Sequence, residues 1–118
     1  MEIFHDMIGK VFVDITGAEI SSDMMTFHEQ DGSTARFVHY QDCCESVSIA
    51  EIIGDISDLI NSPILMAEEI EAEHVSDNPY DKWTFYKFAT IKGYVTVRWL
   101  SNEDTCYSTS ISYEFEKG

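Results

Sequence analysis

The densest run of reactive side chains is His39-Tyr40-Gln41-Asp42-Cys43-Cys44-Glu45. It combines an imidazole, two thiols and two carboxylates, donor types that serve metal binding, nucleophilic catalysis or polar recognition. In an extended chain successive side chains alternate, so His39, Gln41, Cys43 and Glu45 share one face and Tyr40, Asp42 and Cys44 the other. A structural zinc site wants four converging ligands, commonly a Cys-x₂-Cys pair plus a second pair. Here the thiols are adjacent, and the other candidates, His5, His28, His74 and Cys106, are scattered. A Cys43–His39 nucleophile lacks the positive surroundings that lower a thiol pKa, and the neighbouring acids act the opposite way. Two readings stand. Either Cys43 and Cys44 fill small core sites while His39, Asp42 and Glu45 hydrogen-bond a strand corner, or His39, Gln41, Asp42 and Glu45 recognise a ligand without transforming it.

A second constellation lies in the C-terminal third. With Lys92-Gly93 as a two-residue hairpin loop, Ile91 faces Tyr94, Tyr86 faces Trp99, Phe88 faces Val97 and Thr90 faces Val95, giving an apolar core side. On the other side Lys87 falls directly opposite Arg98, a pairing that costs up to about 1 kcal/mol unless something neutralises it. Carboxylates lying over the two bases would do so. An anionic ligand would also do so, held between Lys87 and Arg98 with Trp83, Phe85 or Tyr94 as a stacking surface. The third candidate is a surface rather than a pocket: Glu68, Glu69, Glu71, Glu73, Asp77 and Asp81, suited to a basic partner.

The elements that carry these residues follow from periodicity. Lys10 to Ile15 alternates as a first strand; Asp23–Glu29 and Thr34–Gln41 form a hairpin about the turn Gln30-Asp31-Gly32-Ser33. Ile52, Ile56, Leu59 and Ile60 fall on one helical face, predicting a short helix near residues 50–61 that ends at Asn61-Ser62-Pro63. Residues 64–75 suit strand or helix, with strand favoured. Trp83–Ile91, Tyr94–Leu100 and Tyr107–Phe115 predict a three-stranded antiparallel meander. The expectation is a β-rich α+β fold: one curved antiparallel sheet, partly closed, with a single short helix packed on it.

Composition narrows the function classes. The chain has 118 residues, 44% hydrophobic and 13% aromatic, which suits a single domain with one real core. From Phe37 through Asp81 there is no Lys or Arg while eleven Asp and Glu accumulate, and the formal net charge is −15. Such charge disfavours nucleic acid and anionic membrane as partners and attracts basic proteins. No apolar run approaches a membrane span and the N-terminus lacks a basic leader, so a cytoplasmic protein is expected. Three cysteines cannot form a closed disulfide framework. No phosphate-cradling glycine loop, calcium loop or nucleophile elbow occurs, and no cofactor is implied.

The blocks Gln41-Asp42-Cys43-Cys44-Glu45-Ser46-Val47, Ile53-Gly54-Asp55, Ser62-Pro63-Ile64-Leu65, Trp83-Thr84-Phe85-Tyr86-Lys87 and Val95-Thr96-Val97-Arg98-Trp99 resemble a family of small proteins of unknown function, frequent in phages and prophages. The similarity runs from about residue 8 to 115. The resemblance implies context: small acidic phage accessory proteins act against host machinery or defence, by imitating nucleic acid or by capturing a nucleotide signal. The leading expectation is therefore a non-enzymatic binding protein that counters a host function by stoichiometric binding of a basic host protein through its acidic surface. The alternatives are a pocket that sequesters a nucleotide-like or other anionic ligand, and, in a different class, a small metal-dependent enzyme. Edge strands leave homo-oligomerisation open.

Overall fold

The computed structural model describes residues 2–41, 45–73, 81–102 and 109–118. Their strands are β1 Glu2–Ile3, β2 Phe12–Thr16, β3 Met24–Glu29, β4 Thr34–Val38, β5 Ser46–Ile53, β6 Met66–Glu73, β7 Asp81–Thr90, β8 Gly93–Asn102 and β9 Ser112–Glu116. A 3₁₀ turn spans Ile56–Leu59. The strands form two antiparallel sheets, a five-stranded one in the order β1-β6-β7-β8-β5 and a four-stranded one in the order β2-β3-β4-β9.

The two sheets pack face to face because alternation gives each an apolar side. Tyr86 and Phe88 of β7, Val95, Val97 and Trp99 of β8, and Val47 and Ile49 of β5 meet Met25 and Phe27 of β3 and Ala35 and Phe37 of β4. Phe37 is the hub. Its ring centroid lies 4.7 Å from Tyr86, 5.1 Å from Phe4, 5.2 Å from Tyr113 and 5.7 Å from Phe88. Offset and edge-on aromatic contacts of this kind join the two sheets across the core. No helix among the described residues is long and apolar enough to cross a membrane.

The expected α+β architecture is wrong: the fold is nearly all β, with two sheets in place of one, and the predicted helix over 50–61 is absent. Its apolar spacing has another cause. Strand β5 carries a bulge between Ile49 and Glu51, so Val47 and Ile49 face inward before it and Ile52 after it. The helical spacing of Ile52, Ile56 and Leu59 is therefore shared between the end of β5 and the 3₁₀ turn, all three packing on the core. Gly54 (φ +105°) then turns the chain, and Asp55 caps the 3₁₀ turn by accepting from the Ser57 amide at 3.0 Å. A Cβ at Gly54 would collide with the Tyr94 carbonyl.

The predicted three-stranded meander also fails at its last strand. β7 and β8 form the hairpin, but β9 pairs with β4 in the other sheet, Phe115 opposite Ala35 and Tyr113 opposite Phe37. Tyr113 and Phe115 are the reason: both side chains pack against the core from the β4 edge. The hairpin register differs as well. Thr90 pairs with Gly93, so Ile91-Lys92 is the loop, and Thr90 Oγ1 accepts from the Lys92 amide at 3.1 Å. Gly93 has no positive φ, and a Cβ there would meet only the tip of the Asp58 side chain, Oδ2 at 2.9 Å. A slip of two residues preserves faces, so Tyr86, Phe88, Val97 and Trp99 still point inward. It changes partners. Lys87 lies opposite Thr96, and Arg98 opposite Phe85.

The predicted β3–β4 hairpin and the strand within 64–75 are present. The chain crosses between sheets three times, from β1 to β2, from β4 to β5 and from β8 to β9.

Candidate functional site

His39 follows β4, Glu45 precedes β5 and Ser110 precedes β9, so the three sit where two of these crossings meet. His39 and Glu45 are 4% and 3% exposed. His39 Nε2 lies 3.0 Å from Glu45 Oε2, and Nδ1 lies 2.8 Å from the Ser110 carbonyl. A carbonyl only accepts, so Nδ1 carries a hydrogen. The Nε2–Oε2 contact is likewise bridged by one hydrogen, on either atom. Gln41 donates to the Glu45 carbonyl at 2.6 Å. This satisfied arrangement is a corner clasp, with both faces of the imidazole edge occupied by protein. Asp42, Cys43 and Cys44 lie outside the described residues. No group of three His, Cys, Asp or Glu among the described residues is placed to hold a metal ion.

The outer face of the five-stranded sheet brings together a different set. Alternation along β7 and β8 points Trp83, Phe85, Lys87, Tyr94 and Arg98 away from the core. The Arg98 guanidinium lies 4.7 Å from the Trp83 ring centroid and 5.2 Å from that of Phe85, and donates to Glu51 at 3.1 Å. A cavity of about 270 Å³ opens beside it, lined by Ile53, Phe85, Lys87, Thr96 and Arg98. Tyr94 shares the face but stands 75% exposed and does not line the cavity. His39, Gln41 and Glu45 do not line it either.

The acidic run divides. Glu68 points to the outer face, directly across from Lys87, whereas Glu69 and Glu71 point to the opposite side of β6. There β1 adds a partner: Glu2 pairs in register with Glu69. Glu2, Glu69, Ile70 and Glu71 line a cavity of about 350 Å³. Burial holds the Glu69 carboxyl above its ordinary range, and the carboxylates of Glu2 and Glu71 push it further, against the lowering effect of the Tyr86 hydroxyl. Tyr86 donates to Glu69 Oε1 at 2.8 Å, and burial beside that carboxylate raises the phenol strongly. Lys82 pairs with Glu71 at 3.4 Å. Asp81 is half-buried at the start of β7, opposite Asn102. Asp77 and the Glu73 side chain lie outside the described residues.

Three participants escape a sequence reading. Glu2 sits in a two-residue strand too short to register as a period, Ser110 acts through its backbone carbonyl, and Glu51 reaches Arg98 only because the β5 bulge turns it outward. On the four-stranded sheet, Arg36 pairs with Glu114 at 3.4 Å and Glu116 at 3.8 Å, and Tyr40 donates to Glu114.

No curated protein and no solved structure matches the chain. A family model described as a domain of unknown function, DUF7448, matches residues 5–113. That match spans nearly the whole sandwich, from the β1–β2 connection into β9, and the chain belongs to the DUF7448 family.

Proposed function

We propose that the chain works by stoichiometric, non-catalytic binding of a basic protein partner at the acidic margin of the five-stranded sheet. The observation that carries this reading is the convergence of Glu2, Glu69 and Glu71 on one cavity in a chain of net charge −15. A carboxyl held above its ordinary range by burial and by like charges gains from an incoming cation. A partner Lys or Arg entering the cavity stabilises the ionised form of Glu69 and releases its proton. Self-repulsion that is unfavourable in the free chain thus becomes attraction in the complex. The resemblance to phage and prophage proteins points to a host protein with a basic groove as that partner, and to the host cytoplasm as the place of action.

The test is capture of a partner by wild-type protein and by Glu2→Gln/Glu69→Gln/Glu71→Gln at matched concentrations. Binding is expected to weaken steeply as salt rises from about 0.05 M to 0.2 M, and to fail in the triple variant. Equal capture by both proteins, or salt-independent capture, rules the acidic margin out.

A further inference from the structure

The outer face of the five-stranded sheet gathers two basic side chains, Lys87 and Arg98, apart from the acidic margin. We infer that the cavity between Lys87 and Arg98 binds an oxyanion, phosphate or carboxylate, attached to a small planar apolar body. Three observations converge. First, Glu68 lies directly across from Lys87, where oppositely charged neighbours normally join. Yet no carboxylate among the described residues comes within 4.0 Å of the Lys87 ammonium, although the chain holds 22 acids against 7 bases. Lys87 lines the cavity instead.

Second, Arg98 is pre-positioned. Its guanidinium is stacked on Trp83 and Phe85, and Glu51 engages it through a single N–H donor at 3.1 Å. A guanidinium has five donors, so its capacity for a second acceptor is not exhausted. Stacking removes the freedom that a surface arginine would otherwise lose on binding. Third, the remaining walls are Ile53, Phe85 and Thr96, so an apolar body and one hydroxyl contact are provided for. At about 270 Å³ the cavity lies near the lower end of ligand pockets, which run roughly 300–1,000 Å³. That volume suits a single ring.

The local charge is balanced, Lys87 and Arg98 against Glu51 and Glu68, so contact rather than long-range attraction supplies the binding. At about 0.15 M salt the Debye length is about 8 Å, which screens most of the net repulsion and leaves the contact.

Isothermal titration at that salt with phenyl phosphate, benzoate and inorganic phosphate tests the site. Saturable binding of phenyl phosphate or benzoate is expected, and their ratio identifies which oxyanion is preferred. Lys87→Met should weaken it about tenfold or more, equivalent to about 1.4 kcal/mol. Lys117→Met, which removes the same charge at an exposed position, should leave it unchanged. In the wild-type protein, amide shifts on titration should centre on Phe85, Lys87, Thr96 and Arg98, which locates the site without any variant. Absence of binding by both aromatic oxyanions overturns the inference, as does equal loss in the two lysine variants. Equal affinity for inorganic phosphate overturns it too, because the apolar walls would then contribute nothing.

Discussion

His39 and Glu45 show how a reactive-looking cluster can be consumed by the fold. Each polar atom of the imidazole already has a protein partner, and both residues are sealed from solvent. Removing one member leaves the other buried without its counterpart, which costs on the order of 3–5 kcal/mol. Glu45→Ala and His39→Ala are each expected to destabilise by that order in urea denaturation. The double variant should lose less than their sum, by about 1 kcal/mol or more; additive losses would mean that the two do not act as a pair. Glu69 predicts a pH effect of definite sign. Its folded-state pKa is raised above the ordinary 4.5, so the folded chain keeps a proton that the unfolded chain has released. The associated stability is complete below 4.5 and is lost as pH rises through the raised value. Urea midpoints across this window should decline more steeply for wild type than for Glu69→Gln, and parallel curves would refute the assignment.

Among the elements, the β5 bulge and Gly54 govern the sheet edge beside the cation-bearing face. Gly54→Ala meets both a positive φ and the Tyr94 carbonyl, whereas Gly9 (φ +82°) has nothing within 4 Å of an added Cβ. Gly9→Ala should therefore cost about 1 kcal/mol, the conformational penalty alone, and Gly54→Ala clearly more, as read from chemical denaturation. Similar losses would mean that the Tyr94 backbone yields freely. The same elements explain what the sequence makes legible. Hairpins bounded by Asp31-Gly32 and by the Ile91-Lys92-Gly93 turn are visible because alternation flanks them on both sides. The inward faces of β7 and β8 survive a wrong register because the slip is even. The helix is a false inference from a strand end and a 3₁₀ turn, since Ile52 of β5 and Ile56 and Leu59 beyond Gly54 fall at helical spacing without a helix. The sheet to which β9 belongs is invisible locally, because Tyr113 and Phe115 alternate identically whether β8 or β4 lies beside them. For the candidate sites, residue types were legible and partnerships were not. Phe85 and Arg98 meet through two-residue register, and Glu2 meets Glu69 across 67 positions of chain.

For the whole molecule, net charge is the dominant condition. The described ion pairs are at least partly exposed apart from His39–Glu45, and exposed pairs contribute at most about 1 kcal/mol each. Repulsion among the surplus carboxylates acts over longer distances. Lowering the Debye length from about 30 Å to about 8 Å with added salt should therefore raise the melting temperature. A fall on adding sodium chloride, measured by scanning calorimetry, would assign more weight to the pairs than their exposure allows.

The three crossings between sheets also bear on how the molecule is made. Strand β4 carries Phe37, on which both sheets converge, yet one of its two neighbours is β9. A nascent chain leaving the ribosome exposes β1 to β8 before the segment that completes the second sheet has been translated. Until Ser112–Glu116 emerges, the β4 edge stays open and one side of the Phe37 ring lacks the cover of Tyr113. Closure thus waits for β9, well after β4 in the chain, and distant pairings of this kind form slowly. The surplus negative charge has a second role in that interval, since it keeps unfinished copies apart while an aromatic core and a bare strand are exposed.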